Sequence, residues 1–317
     1  MTIKSLILSV LVVFVVTTSF AQANLLNAKS PEEIGVKTEL QMLVDNDRPL
    51  EYGYVDDRDI LYSKMTWEKV VLDERVNFPL YYPVERNNIG RDRRSLYDVL
   101  LDYIKDGTIT ANEEFGNYYD MDGLDGDLNL YDDSYFTTKR TLEDIQDALT
   151  KVDTLDIGYE QFNAEGIVDA EYIIRREISS FDISAYLIKG LWYFDKRQAE
   201  LKFRVLGIAP AAPDVNFIDS DDEANRAPIP LFWVFYPDIR DLLHVNMSFN
   251  NKNSAKPVSF DHILNARRFN GYVYREENVQ GDRSIKDYVS DNALMQLMES
   301  DRIKEKIRNF EQDMWSY

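Results

Sequence analysis

At 317 residues the chain is long enough for a large core or two domains, and 56 acidic against 36 basic residues give it a formal net charge of −20. Such a surface repels phosphate backbones, which argues against nucleic acid as a partner and favours a basic protein surface or a cation. The lack of cysteine excludes structural disulfides, thiolate metal sites, a cysteine nucleophile and lipidation on a cysteine.

Lys4 is the one charge in the first 23 residues, and residues 6–16 are apolar or small apart from Ser9. As a helix that run spans roughly 16 Å, about half of a hydrocarbon core. Ala21-Gln22-Ala23 supplies a small-x-small cleavage site. The pattern predicts a secretory signal peptide over residues 1–23, cleaved before Asn24, and a bacterial periplasmic destination. No later run approaches a membrane span, so attachment to a membrane would go through a partner.

Residues 24–59 are polar, without a sustained period, and are punctuated by Pro31, Pro49 and Gly53; they read as an extended arm. Residues 60–83 gather Tyr62, Met65, Trp67, Val70 and Val71 ahead of VNFPLYYP. Aromatics clustered between prolines predict extended, docked segments, either on the chain's own core or on a partner. Residues 91–107 form the clearest helix, with Leu96, Val99, Leu100, Tyr103 and Ile104 at helical spacing, Asp92 or Ser95 as N-cap and Gly107 at the C-terminal stop.

The charge excess is concentrated in residues 113–169, which hold 16 acidic and 3 basic residues, a net of −13. This stretch reads as a solvated acidic insertion or as a face toward a basic partner. Within it, DMDGLDGDLNLYDD (residues 120–133) suggests calcium, but from Asp120 the sixth position is Asp125 and the twelfth Tyr131, a poor match to an EF-hand loop. A short helix is expected over residues 141–152, with Thr141 as cap and Leu142, Ile145 and Leu149 on one face.

Residues 168–237 are rich in strand signals. Leu201, Phe203 and Val205 alternate with Lys202 and Arg204, and residues 195–198 suit a hairpin loop. LFWVFYP (residues 231–237) is apolar on both alternating faces, the mark of a central strand, with Pro237 ending it. Helices are expected from Pro237 to Leu243 and over residues 259–268, and a short strand over residues 272–274. The closing helix, residues 292–315, has one apolar stripe at Leu294, Leu297 and Met298 and another at Ile303, Ile307, Phe310 and Met314. The period breaks at Glu299-Ser300-Asp301, which predicts two helices or a kink with Ser300 as a cap.

No nucleophile elbow, phosphate loop, dinucleotide fingerprint or zinc-protease motif occurs, and His244 and His262 are the two histidines. No catalytic, cofactor-binding or metal residue is assigned. Carboxylate pairs suited to glycoside hydrolysis are always available among 56 acidic residues, and sequence alone does not position them.

Six segments together resemble the GldN/PorN family of gliding-motility and type IX secretion proteins of Bacteroidetes. They are YSKMTWEKVVLDERVNFPLYYP (62–83), SLYDVLLDYIKDGTITA (95–111), LWYFDKRQAELKFRVLGIAP (191–210), LFWVFYPDIRDLL (231–243), SFDHILNARRFNGYVYREEN (259–278) and RIKEKIRNFEQDMW (302–315). The resemblance runs from about residue 60 to the C-terminus, and Gly190 departs from it where a charged residue is expected. It implies a non-enzymatic periplasmic subunit at the inner face of the outer membrane, in a ring complex with a GldK/PorK-type lipoprotein and with copies of itself, facing a GldM/PorM-type motor component.

The combined expectation is an α+β protein with a central, mainly antiparallel sheet at about residues 168–237, covered by helices and preceded by an extended N-terminal arm. Its parts are a signal peptide (1–23), the arm (24–59), a docking and helical region with the acidic insertion (60–165) and an α+β core domain (166–317). Candidate subunit contacts are the arm, the Trp67-bearing segment and the acidic region. The alternative is a periplasmic enzyme or ligand-binding protein acting on acidic or carbohydrate material.

Overall fold

The computed structural model describes residues 48–85, 94–106, 129–166, 169–218, 222, 226–250, 257–290 and 292–315. Every described element belongs to the unit formed by Arg48–Ile109 and Asp125–Tyr317. In chain order these are β1 (Ile60–Val71), α1 (Phe78–Tyr81), α2 (Leu96–Asp106), β2 (Leu130–Tyr131), β3 (Lys139–Arg140), α3 (Leu142–Leu149), β4 (Thr150–Thr154), α4 (Asp156–Glu165), β5 (Ile173–Glu177), β6 (Ala185–Asp195) and β7 (Glu200–Ala212). There follow β8 (Ile229–Pro230), β9 (Trp233–Phe235), α5 (Arg240–Val245), β10 (Met247–Ser248), β11 (Val258–Ser259), α6 (Phe260–Asn265), β12 (Tyr272–Glu276), α7 (Ile285–Tyr288) and α8 (Ala293–Trp315).

The protein is α+β, built on an eight-stranded antiparallel sheet of order β12-β1-β6-β7-β9-β2-β3, with β8 on β7. The β6–β7 hairpin is its spine. It turns through Lys196–Ala199, one residue later than the loop expected at 195–198, with Ala199 at φ 54°. The Asp195 carboxylate accepts from the backbone N–H of Arg197 at 2.9 Å and closes the turn. The sheet is wider than residues 168–237, because β1 and β12 extend one side and β2 and β3 the other. LFWVFYP gives only the three-residue β9, between β7 and β2. Val234 packs into the main core and Trp233 on the opposite face, so the segment is covered on both sides as expected. Pro237 falls in the first turn of the 3-10 helix Tyr236–Ile239 that feeds α5.

The segment at residues 62–83 corrects the idea of a partner-docking strip. Its first half is β1, paired to β6 along eleven positions and to β12 on the other side, with Trp67 fully buried. Alternation puts Val70, Tyr186, Ile188, Val205 and Ile208 on one face, under α2, α5 and α6. Trp67, Ala209 and Trp233 lie on the other, under Phe136 and Tyr131. Two bulges set these faces: Leu206 is the extra residue between the partners of Lys189 and Gly190, and Tyr274 between those of Trp67 and Glu68.

Helix α2 carries all five expected core residues, and Ser95 Oγ accepts from the Asp98 N–H at 3.1 Å as its N-cap; Gly107 and Asp92 lie outside the described residues. Thr141 caps α3 through a capping box with Asp144, and Ile145 and Leu149 are buried. Helix α8 is continuous, not two helices. Ser300 does not start a new helix: its hydroxyl accepts from the Val273 N–H at 2.8 Å and pins α8 to β12. Past that point Ile303 and Ile307 are buried, and Phe310 stacks on Tyr62 at 4.3 Å. Before it, Leu294, Leu297 and Met298 are exposed. No described helix is long and apolar enough to cross a membrane.

Candidate interaction surface

The expected contact regions fall differently on the structure. Residues 24–47 of the arm and residues 113–128 of the acidic stretch, including the calcium-like loop from Asp120 to Asp127, lie outside the described residues. Residues 48–56 have no regular secondary structure and bury none of their residues, but Tyr52 packs against the protein's own core. There the Tyr52 ring lies between the guanidinium groups of Arg204, at 4.4 Å, and Arg240, at 4.1 Å, and its hydroxyl donates to Asn265 Oδ1 at 3.1 Å.

Buried ionic groups are where chemistry would be sought. Glu68 accepts a two-pronged bond from Arg267, at 2.9 and 2.8 Å. Asp261 accepts from Arg240 Nε at 3.0 Å, Tyr236 at 2.8 Å and Asn265 at 2.8 Å. Burial opposes the Arg240 charge, while its hydrogen bond and attraction to Asp261 raise its affinity for the proton; the Tyr236 hydroxyl is pushed far up by burial and by the Asp261 charge. Lys189, the one basic residue in the apolar β6 run, sits over Tyr135 at 4.7 Å, Trp67 at 5.2 Å and Phe136 at 5.3 Å, and donates to the Ser134 carbonyl at 2.8 Å. Burial pulls its affinity for the proton down, opposed by Asp133, Asp282 and Glu277. Sequence reading passed over this lysine, although a lone cation in AYLIKGLWYF is a visible signal. Each of these groups spends its hydrogen bonds on the protein itself. They fasten segments of the protein to one another.

Asp133, at the end of the calcium-like stretch, likewise turns inward on its own loop. It accepts from Tyr135 N at 2.6 Å, Thr137 Oγ1 at 2.6 Å and Thr138 N at 3.1 Å. Among the described residues there is no group of three or more His, Cys, Asp or Glu able to hold a metal ion. A cavity of about 530 Å³ lies between α2, α3 and the β4–β5 pair, lined mainly by Leu101, Ile104, Ile145, Leu149, Val152 and Ile178. Gln146, Asp147, Thr150, Arg175 and Glu177 complete its lining.

The outer surface carries a clearer signal. Strands β4 and β5 pair only with each other, Thr154 opposite Ile173 and Thr150 opposite Glu177, and α4 connects their far ends. Along α4, Gly158 is buried and Gln161 half-buried, while Ile157, Tyr159 and Phe162 are each more than half exposed. Val152 and Ile174 are also more than half exposed, and Leu155 and Ile173 somewhat less. Soluble surfaces rarely gather this many large apolar groups unless something covers them. Between Asp153 and Ile174 stand six carboxylate residues and no lysine or arginine.

A family model described as "Gliding motility associated protein GldN" matches residues 55–316 of the chain. None of the curated proteins compared with it matches.

Proposed function

The chain belongs to the GldN family, and on that premise we propose that it is a non-enzymatic, periplasmic subunit of the type IX secretion and gliding machinery. The observation that carries this reading is the family match itself, which takes in the whole sheet and every helix packed on it. In this reading the subunit forms a ring with a GldK/PorK-type outer-membrane lipoprotein and with copies of itself, under the outer membrane and facing a GldM/PorM-type motor component. Three features support it: the signal-peptide pattern of residues 1–23, the lack of a cysteine for a lipid anchor of its own, and buried charges committed to internal fastening.

The enzyme alternative calls for convergent carboxylates in a deep polar pocket. The cavity beside β4–β5 is walled mainly by aliphatic side chains and does not favour it. The test is purification of the tagged full chain from envelopes of its native host, with deletion of its gene in parallel. The expected results are particles many times the 37.0 kDa chain mass, containing a lipoprotein at comparable abundance, and loss of protein export on deletion. A monomer without that partner, in cells that export normally once the gene is deleted, would overturn the reading.

A further inference from the structure

We propose that the projecting β4–α4–β5 element is a docking site for a different protein, one that presents an apolar groove rimmed by lysine and arginine. This rests on the reading of the chain as a subunit of an assembly. The element is poorly supported by its own chain. A lone two-stranded sheet is marginal in water, and so is a helix as short as ten residues. Among the described residues of the helix, only Gly158 and Gln161 turn inward. Leu155, Tyr159 and Phe162, at i, i+4 and i+7, form one stripe down α4, the spacing by which a helix enters a groove.

The strand pairing continues this surface inward. Val152 and Ile173 share the β4–β5 face that also holds Thr150, Arg175 and Glu177, and Thr150, Val152, Arg175 and Glu177 line the 530 Å³ cavity. A partner lying along this face would have at its base a cavity whose far wall, Leu101, Ile104, Ile145 and Leu149, can seat an anchoring apolar side chain.

Charge selects the occupant. From Asp153 to Ile174 the segment carries six carboxylate residues and no basic residue, and the basic residues at its foot are Lys151, which pairs with Asp153 at 2.7 Å, and Arg175 and Arg176 on β5. A two-fold contact between copies would set this patch against itself, carboxylate facing carboxylate. An anionic bilayer surface would be repelled for the same reason. A basic-rimmed protein gains from both the apolar centre and the rim.

The experiment places photo-reactive benzoylphenylalanine at Tyr159 or Phe162 in the full-length chain, in cells of the native host, and sequences the cross-linked peptides. The expected product joins this chain to a second, different protein through an apolar peptide with lysine or arginine beside it. The same probe at exposed Val279 should give no such product. Reversing the rim with Asp156→Lys and Glu160→Lys should lower the yield at least about tenfold while the unfolding midpoint stays near that of the parent. Adducts to a second copy, to lipid or to the chain's own residues, no adduct at either position, or a yield indifferent to charge reversal would each overturn the docking site. If particles and lipoprotein persist in that outcome, the assembly reading survives and only the surface is wrong. If the chain is also a lone monomer, both fall.

Discussion

Glu68 and Arg267, 199 residues apart, meet in a two-pronged ion pair at 2.8 and 2.9 Å on the helix-covered face of the sheet, with Glu68 only 1% exposed. Arg267 occupies the left-handed region at φ 53° and spreads its guanidinium over Phe203 at 4.5 Å and Trp192 at 4.7 Å. It thus joins the α6 side of the core to the end of the sheet that α8 covers. Removing one partner of a buried pair commonly costs about 3–5 kcal/mol, because the other charge is stranded. The Arg267 side chain is about a quarter exposed, which lets water screen part of that loss. Arg267→Ala should therefore destabilise by about 3 kcal/mol in urea unfolding, and Glu68→Met with Arg267→Met should recover much of the loss. Equal losses in the single and double variants would show that stranding the Glu68 carboxylate is not the source of the Arg267→Ala loss.

Gly190 is required for a steric reason. A Cβ at this position would lie 2.2 Å from the Phe203 ring, which fills the space beside the glycine on the cross-strand neighbour β7. Gly190→Ala must push Phe203 aside, and Arg267 rests on that ring. Overpacking of this kind costs about 1–3 kcal/mol. The expected unfolding midpoint is lower, and Phe203→Leu should restore part of it in the Gly190→Ala background. An additive double variant would mean that the ring is not the obstacle.

How far the sequence reached depended on where the partners of each residue lay. The β6–β7 hairpin was legible because its strands alternate and face each other across one short turn. Strand β1 was not, since Lys64, Thr66 and Glu68 interrupt its apolar run. Lys64 pairs with Glu276 and Glu68 with Arg267, both some two hundred residues away, so polar positions that are satisfied in the fold looked like a break. Ser300 gave a cap signal, but its hydroxyl serves β12. The apolar residues of α4 were readable as letters, whereas their exposure depends on what the rest of the chain leaves uncovered. The acidic excess around them was legible as charge and as a candidate partner face, but not as the rim of an exposed apolar stripe.

Arg240 holds the described end of the N-terminal arm. Its Nη2 donates to the Leu50 carbonyl at 2.6 Å, and Tyr52 lies across its guanidinium, while Asp261 anchors it from beneath. Arg240→Ala should strand the buried Asp261 carboxylate and release residues 48–52 together. The expected result is a loss of about 3 kcal/mol with faster amide exchange across residues 50–56. Arg240→Lys should restore only part of both, since an ammonium cannot reproduce the fork or the stacking. Unchanged exchange in Arg240→Ala would show that the arm is held without it.

The buried tyrosines set the alkaline limit of the fold. Burial raises the hydroxyls of Tyr97, Tyr186, Tyr236 and Tyr274 above the ordinary tyrosine value, with nearby Asp98 adding to the shift at Tyr97 and Tyr186 and Asp261 at Tyr236. In the unfolded chain these groups titrate near pH 10. The folded state therefore keeps protons that the unfolded state gives up, and stability must fall as pH rises above about 10. Below that value both states are protonated and the contribution is intact. Each such hydroxyl can steepen the fall by up to about 1.4 kcal/mol per pH unit. Tyr97 donates to the Ile178 carbonyl at 3.2 Å, so Tyr97→Phe should cost about 1 kcal/mol at neutral pH yet make the alkaline decline shallower. Urea unfolding at a series of pH values, read beside tyrosinate absorbance, separates the two effects. A decline that begins well below pH 10, or one with the same slope in Tyr97→Phe, would assign the alkaline limit to other groups.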